Sequence, residues 1–212
     1  MRRGNTLEAF RLAAALGADA VELDARRTAD GVIVVHHDAM IEGLPIVAMA
    51  RSEIARLAPW IPDLTDALAS CAPMWVDLEI KNDPDDPDWD RDDTVLKAVA
   101  RLVDDRVVVT SFNAVTTQRA HEAGMRTGQL LSWTDEPDEV LNEWPGYEFI
   151  LPSKEMVPVA CAHALVAMAR SAGAKVGIWT IDDPAAMQAY ASAGVDIVFT
   201  NVPDVARSAL GG

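Results

Sequence analysis

The feature that most constrains the fold is a regular alternation of short apolar segments with longer segments of helical spacing. Two of the longer segments leave through Ala-Gly pairs, in HEAGMR and ASAGVD, which are typical helix ends before a strand. This alternation predicts a parallel sheet covered by helices, and the number of units favours a closed (β/α) barrel over an open sheet. The predicted strands are 20–25, 74–81, 106–112, 126–133, 147–152, 174–180 and 195–201, and the predicted helices are 5–17 (with Asn5 as N-cap), 91–103, 114–123, 136–142, 158–172 and 184–193.

The composition limits the class of protein. With 212 residues, half of them hydrophobic, the chain can form a sizeable core, and we expect a single barrel domain over residues 1–212. A formal charge of −15 disfavours nucleic acid and anionic membranes as partners, and no apolar run approaches the roughly 18 residues of a membrane span. The N-terminus lacks the apolar region of a signal peptide. Two distant cysteines, Cys71 and Cys161, do not suggest a disulfide framework, so we expect a cytoplasmic protein; its oligomeric state stays open.

The segment VELDARRTADGVIVVHHD, residues 21–38, carries charge where a packing strand would carry valine or isoleucine. Glu22 and Asp24 are two positions apart, so they share one face of a strand. The turn TADG is too short to join neighbouring parallel strands, which predicts a β-hairpin insertion whose second arm folds back over the strand end. That arm returns His37 to the C-terminal rim, where the active sites of barrels lie.

A second strand, VDLEIK, repeats the apolar–acidic alternation and places Glu79 and Lys81 on one face. Together with Glu22 and Asp24, Glu79 offers three carboxylates from two strand ends, a donor set that suits Mg²⁺ or Ca²⁺. Beside such a cation, His37 is a candidate general acid or base, because its ordinary pKa lies near neutrality.

Each of these assignments has a structural alternative. The acidic pair could form salt bridges with Arg26 and Arg27 at the rim, and His37 could simply cap the hairpin. Trp179 ends a predicted strand, where a substrate wall and ordinary packing are equally compatible with the sequence. The acidic stretch that follows Lys81, residues 82–93, is predicted to be a solvated surface loop, because it lacks the spacing of a calcium-binding loop.

The run NTLEAFRLAAALGADAVELDARRTADGVIVVHHD, followed by LEIK, GIWTIDD and GVDIVFTNVPD, resembles the glycerophosphodiester phosphodiesterases in order along nearly the whole chain. The resemblance implies a (β/α)₈ TIM-type barrel that uses a divalent metal, Mg²⁺ or Ca²⁺, to hydrolyse small glycerophosphodiesters of lipid metabolism to glycerol 3-phosphate and an alcohol. By position, it implies the following roles: Glu22, Asp24 and Glu79 hold the metal, His37 is one of two acid/base histidines, Lys81 binds and neutralises the phosphate, and Trp179 lines the substrate pocket.

The N-terminus departs from the family pattern. Family members begin with a strand ending in HRG and a loop running into PENT, whereas this chain begins MRRGNTLEAF. Arg3 and Gly4 match the end of the first motif, which implies a substrate-binding role for Arg3, and Arg2 takes the place of the histidine. The expected barrel therefore lacks or truncates its first strand, and its hydrolysis is expected to be impaired. The alternative is a catalytically inactive barrel that binds a metal and phosphodiesters. A phospholipase D-like barrel is a third alternative, which the acidic stretch disfavours.

Overall fold

The computed structural model describes residues 3–211, and the chain divides after Met125 into two compact units. The single domain expected over residues 1–212 stays a prediction. The helices of the first unit are α1 (Leu7–Ala15), α2 (Arg51–Leu57), α3 (Leu64–Cys71), α4 (Thr94–Val99) and α5 (Ala114–Glu122). Its strands are β1 (Ala20–Arg27), β2 (Ile33–Val35), β3 (Met40–Ile41), β4 (Leu44–Pro45), β5 (Trp75–Ile80) and β6 (Val107–Ser111), with a 3-10 turn at Ile46–Ala48.

Strand β5 is one of the two inner strands in the sheet of the first unit. This strand pairs in parallel with β1 on one side and with β6 on the other. On the far edge of β1, β2 pairs antiparallel, with Ala25 opposite Val35 and Arg27 opposite Ile33, as the short TADG turn requires. Within the described residues, β1 is the first strand of the chain, and α1 precedes it.

Two apolar clusters stabilise the first unit. The larger one includes Val76, Leu78 and Ile80 of β5, which are almost fully buried, as the alternation in VDLEIK predicts; each such side chain contributes about 1.5–3 kcal/mol. Ile33 and Val35 of β2 belong to this cluster, whereas Val34 points the other way. The smaller cluster consists of Val34, Ile41, Ile46, Met49, Ile54, Ala58 and Ile61. Strand β2 is therefore buried on both faces.

The acidic stretch 82–93 is a surface loop in which most residues are exposed, as predicted, but two of its aspartates are buried. Asp88 and Asp90 are 3% and 4% exposed. The Asp90 backbone N–H donates to Oδ1 of Asn82 at 2.8 Å, and Nδ2 of Asn82 donates to the Asp90 carbonyl at 3.2 Å. Asp90 also accepts a hydrogen bond of 2.7 Å from the backbone N–H of Val95. The predicted helix 91–103 is shorter in the structure, because it begins at Thr94, after the anchored loop, and ends at Val99.

The start of α1 also differs from the prediction. Thr6, and not Asn5, is the N-cap residue, because its hydroxyl accepts a hydrogen bond of 3.1 Å from the Ala9 N–H. Asn5 has a φ of 53°, a left-handed conformation that asparagine tolerates better than most residues. The side chain of Asn5 does not cap the helix and instead forms hydrogen bonds with Asp24, which are described with the candidate active site.

The second unit repeats the strand–helix alternation. Its strands, β7 (Thr127–Leu130), β8 (Phe149–Leu151), β9 (Lys175–Ile178) and β10 (Ile197–Val198), pair in parallel in that order. Its helices are α6 (Pro137–Asn142), α7 (Val159–Ser171), α8 (Pro184–Ser192) and α9 (Pro203–Leu210). Among residues 3–211, no helix combines the length and apolar character that crossing a membrane requires.

Candidate active site

Three carboxylates meet at the ends of two neighbouring strands in the first unit. The parallel register of β1 and β5 places Asp24 opposite Glu79 and Glu22 opposite Asp77. Because alternate residues of a strand point to the same side, all four side chains share one face of the sheet. One oxygen each from Glu22, Asp24 and Glu79 lies within 4.8 Å of the other two. This spacing allows a single cation to lie about 2.3–2.6 Å from each oxygen, as Ca²⁺ does in proteins.

The environment of Asp24 fits a cation. Its side chain is 3% exposed, and its Oδ2 accepts a hydrogen bond of 2.6 Å from Nδ2 of Asn5. Its Oδ1 lies 2.9 Å from Nζ of Lys81 in an ion pair, yet it has no hydrogen bond of good geometry. Lys81 already compensates the charge of this buried oxygen, and a metal ion would give it a further partner. The all-oxygen donor set suits a hard cation such as Mg²⁺ or Ca²⁺.

Lys81 provides positive charge inside the carboxylate group. Its Nζ lies 2.8 Å from Oε1 of Glu79, in addition to its contact with Asp24. A single lysine among four acidic side chains leaves the site net negative, which favours a divalent cation. The alternative in which Glu22 and Asp24 form salt bridges with Arg26 is wrong, because Arg26 pairs with Asp86 and Asp88.

The carboxylates raise one another's pKa values. The pKa of Glu22 is raised well above its usual value, mainly by desolvation and then by the negative charges of Asp24, Asp77 and Glu79. Glu22 nevertheless keeps some exposure to solvent. Burial raises the pKa of Asp77 to about 7, against a hydrogen bond from Thr110. Burial also raises the pKa of Glu79. A bound divalent cation would oppose these shifts, because it favours the ionised carboxylates.

His37 lies in the turn that follows β2, and its side chain is 70% exposed. Its Nδ1 lies 2.8 Å from Oδ1 of Asp38. Because an ionised carboxylate only accepts, the neutral imidazole in this contact carries its proton on Nδ1 and leaves Nε2 as an acceptor.

The two predicted substrate-binding residues have other contacts in the structure. The guanidinium of Arg3 lies 3.7 Å from the centre of the Trp60 ring. Trp179 follows β9 in the second unit, and its indole N–H donates to the Leu151 carbonyl at 2.8 Å. Their roles toward substrate stay predictions. Arg2, which takes the place of the family's other histidine, lies outside the described residues.

Sequence reasoning missed two residues of this site. Asn5 binds Asp24 twice, because the Asp24 N–H also donates to Oδ1 of Asn5 at 3.3 Å. Asp77 lies on the same face as the three carboxylates and accepts a hydrogen bond of 2.6 Å from the Thr110 hydroxyl. The alternation in VDLEIK placed Asp77 on this face, but gave no role to it.

Solved structures share this fold. A glycerophosphodiester phosphodiesterase from Parabacteroides distasonis is 22% identical with a TM-score of 0.81, and the match covers 98% of this chain and 90% of that one. A phosphodiesterase from Oleispira antarctica, solved in complex with the product sn-glycerol-3-phosphate, is 20% identical with a TM-score of 0.82 and coverages of 98% and 91%. The chain is therefore an α/β protein of the TIM-barrel class, as the sequence predicts.

Sequence comparison identifies the family within that class. The model of the glycerophosphoryl diester phosphodiesterase family matches residues 2–205, and this chain belongs to that family of phosphodiesterase enzymes. Among its relatives is the "probable glycerophosphodiester phosphodiesterase 2" of Mycobacterium tuberculosis, which is 29% identical over 239 residues. That match covers 97% of this chain and 84% of the relative.

Proposed function

We propose that this protein hydrolyses glycerophosphodiesters to glycerol 3-phosphate and an alcohol, and that the reaction requires Mg²⁺ or Ca²⁺. The observation that carries the proposal is the approach of Glu22, Asp24 and Glu79 within 4.8 Å beside the lysine Lys81. Membership of the phosphodiesterase family and the product-bound Oleispira relative support the choice of substrate.

In this proposal Glu22, Asp24 and Glu79 hold the cation. When bound, it supplies Lewis-acid polarisation of a phosphate oxygen and lowers the pKa of the attacking glycerol hydroxyl. Lys81 donates from Nζ to the phosphate and stabilises the charge that develops on its oxygens. Arg3 and Trp179 are proposed to contribute to binding the phosphate and the rest of the substrate.

His37 is proposed to transfer protons. With Nδ1 directed to Asp38, its Nε2 can accept a proton from the attacking hydroxyl or return one to the leaving alcohol. In the family scheme a second histidine performs the complementary step, and Arg2 takes its place here. Loss of one acid/base partner slows such reactions by about 10²-fold or more, so we expect slow turnover.

The arginine at position 2 also favours a second candidate, a barrel that binds a metal and phosphodiesters without turnover. Calorimetry with glycerophosphocholine, combined with an assay for released glycerol 3-phosphate, separates the two. Product formation that depends on the cation and is lost in Glu79→Ala and His37→Ala supports the enzyme. Unchanged activity in both variants contradicts the assigned roles. Asp104→Asn, at an exposed carboxylate paired with Arg106 in the same unit, is the matched control.

We further propose a cytoplasmic location and no nucleic-acid partner. Both cysteines, Cys71 and Cys161, are free thiols, which is compatible with a reducing compartment. The charge of −15 repels polyanions. Fractionation of the native host and a gel-shift assay with DNA and RNA would test these two statements.

A further inference from the structure

Arg26 is a buried cation that the proposed reaction does not use. Its side chain is 4% exposed, and it lies in β1 two residues after Asp24. Its Nη1 donates to both carboxylate oxygens of Asp88 at 2.7 and 2.8 Å, and its Nη2 donates to Asp86 at 2.9 Å. Its third nitrogen, Nε, donates to the backbone carbonyl of His37 at 2.9 Å. The guanidinium therefore joins a carboxylate loop to the peptide of the proposed proton-transfer residue.

The backbone around His37 is held from β1 at two points. The N–H of His36 donates to the Asp24 carbonyl at 2.9 Å, and the carbonyl of His37 accepts from Arg26. These two bonds bracket the backbone of His36 and His37 and so determine where the side chain of His37 leaves the turn. The imidazole itself is exposed and contacts the neighbouring Asp38, so its placement depends mainly on the backbone.

The loop that carries Asp86 and Asp88, on the other side of Arg26, is also held by hydrogen bonds. Asp86 and Asp88 belong to the stretch that starts directly after Lys81, and its first residue, Asn82, is buried. Nδ2 of Asn82 donates to the Thr116 hydroxyl at 2.9 Å, and Nδ2 of Asn113 donates to the Asn82 carbonyl at 2.9 Å. Arg26 thus connects the turn of His37 to the loop that directly follows Lys81.

We propose that Arg26 is a positioning residue for His37, which holds the imidazole in register with Lys81 and the carboxylates by binding the His37 carbonyl and the Asp86–Asp88 loop together. The proposal rests on the proposed function, in which His37 transfers the proton. Arginine suits the role because its planar head donates in three directions, which lysine cannot reproduce. A misplacement of about 1 Å at a reacting group can cost about 10²-fold in rate.

A purely structural role is the competing explanation, and the variants are chosen to separate the two. Arg26→Met leaves Asp88 buried without its cation, so we expect a lower Tm. Arg26→Met combined with Asp88→Leu replaces the ion pair by apolar groups and should recover Tm, but it does not restore the bond to His37. Arg51→Met is the matched control, because Arg51 also joins a carboxylate, Asp63, to a backbone carbonyl, that of Ile61 at 3.0 Å.

The experiment measures three properties of the full chain with Mg²⁺ present. They are Tm, kcat and KM for glycerophosphocholine, and the ¹⁵N chemical shifts of the His37 ring, assigned with His37→Asn. We expect Arg26→Met to lower kcat by roughly 10- to 100-fold with little change in KM, and to shift the His37 ring signals away from the pattern of an Nδ1–H tautomer. Arg51→Met should lower Tm and leave kcat and the ring signals unchanged.

The double variant decides the outcome. Recovery of Tm with kcat still low and the ring signals still shifted supports positioning. Recovery of kcat and the ring signals together with Tm would overturn it, as would an Arg26→Met protein whose His37 signals match the parent. If the parent shows no turnover, the proposed function fails, yet the ring signals of the folded double variant still decide the role of Arg26.

Discussion

Asn5 and Asp24 form a reciprocal pair of hydrogen bonds across nineteen positions of the chain. The amide of Asn5 donates to the Asp24 carboxylate at 2.6 Å, and the backbone N–H of Asp24 donates to the amide oxygen at 3.3 Å. The pair fixes both the rotation of the carboxylate and the local position of β1. Oδ1 of Asp24 is thereby directed toward Lys81 and the other carboxylates.

This relationship predicts that Asn5→Ala weakens metal binding. Residues that orient metal ligands typically contribute about 10- to 100-fold in affinity, and we expect a loss of that size for Mg²⁺ or Ca²⁺, measured by titration calorimetry. Thr6→Ala is the control, because it removes the cap of α1 at a cost of about 1 kcal/mol without touching Asp24. Equal metal affinities for Asn5→Ala and the parent would contradict the orienting role.

Lys81→Met is expected to have opposite effects on the two proposed ligands. Removing Nζ takes away a positive charge 2.9 Å from Asp24 and 2.8 Å from Glu79, so the divalent cation should bind several-fold more tightly. The same change removes the charge that is proposed to stabilise the phosphate, so kcat/KM should fall by about 10²-fold or more.

Calorimetry with the cation and a glycerol 3-phosphate assay measure the two effects of Lys81→Met. Lys97→Met, at an exposed lysine that donates to the Asp92 carbonyl, is the control and should change neither. Weaker cation binding in Lys81→Met would show that the lysine supports the site and does not compete with the metal.

The two cysteines are expected to differ sharply in reactivity. Burial raises the pKa of Cys71 to about 11, so little thiolate forms near neutral pH, whereas Cys161 is exposed. A thiol-specific chromogenic reagent should therefore label one thiol quickly in the folded protein and the second only after denaturation. Cys161→Ser should remove the fast phase. Rapid labelling of two thiols in the native protein would contradict the burial of Cys71.

Glu148 is expected to make stability depend on pH in the second unit. The hydrogen bond from Arg126, followed by that from Lys175 and against the effect of burial, lowers the pKa of Glu148. Because the folded pKa lies below the unfolded one, this stabilisation is present above the unfolded pKa and disappears as pH falls through the folded pKa. Glu148→Gln should thus lower the free energy of unfolding by about 1 kcal/mol near pH 7.

The measurement for Glu148→Gln is denaturant unfolding at several pH values. The difference from the parent should shrink as the solution is acidified toward the folded pKa. Glu143→Gln, at an exposed position of the same unit, should unfold like the parent throughout. A difference that stays constant down to acid pH would mean that the charge of Glu148 contributes nothing.

The sequence was most informative where alternation fixes direction. The pattern in VDLEIK correctly sends Val76, Leu78 and Ile80 into the core, and the two-residue spacing of Glu22 and Asp24 correctly places them on one face. The gathering of these carboxylates with Glu79 follows once the two strands are taken as neighbours.

Contacts between distant segments could not be read in this way. Asn5 and Thr6 are both good cap residues, so composition alone does not show which one caps α1 and which one is free to bind Asp24. The partners of Arg26 lie about sixty positions away, in a stretch whose many aspartates suggest solvent exposure. Burial of Asp88 depends on that single arginine, and no local pattern reveals the match.

The packing of strand β2, only three residues long, involves two separate apolar clusters. Ile33 and Val35 pack into one apolar cluster and Val34 packs into the other. A shift of the strand that improves packing on one face would therefore disturb packing on the other. A cavity made at Ile54 or Ile61, neither of them assigned a role in the chemistry, would therefore remove packing from the face of β2 on which Val34 lies. The strand that leads into His37 is thus seated between two cores at once, so its place depends on apolar packing as well as on the hydrogen bonds of the turn.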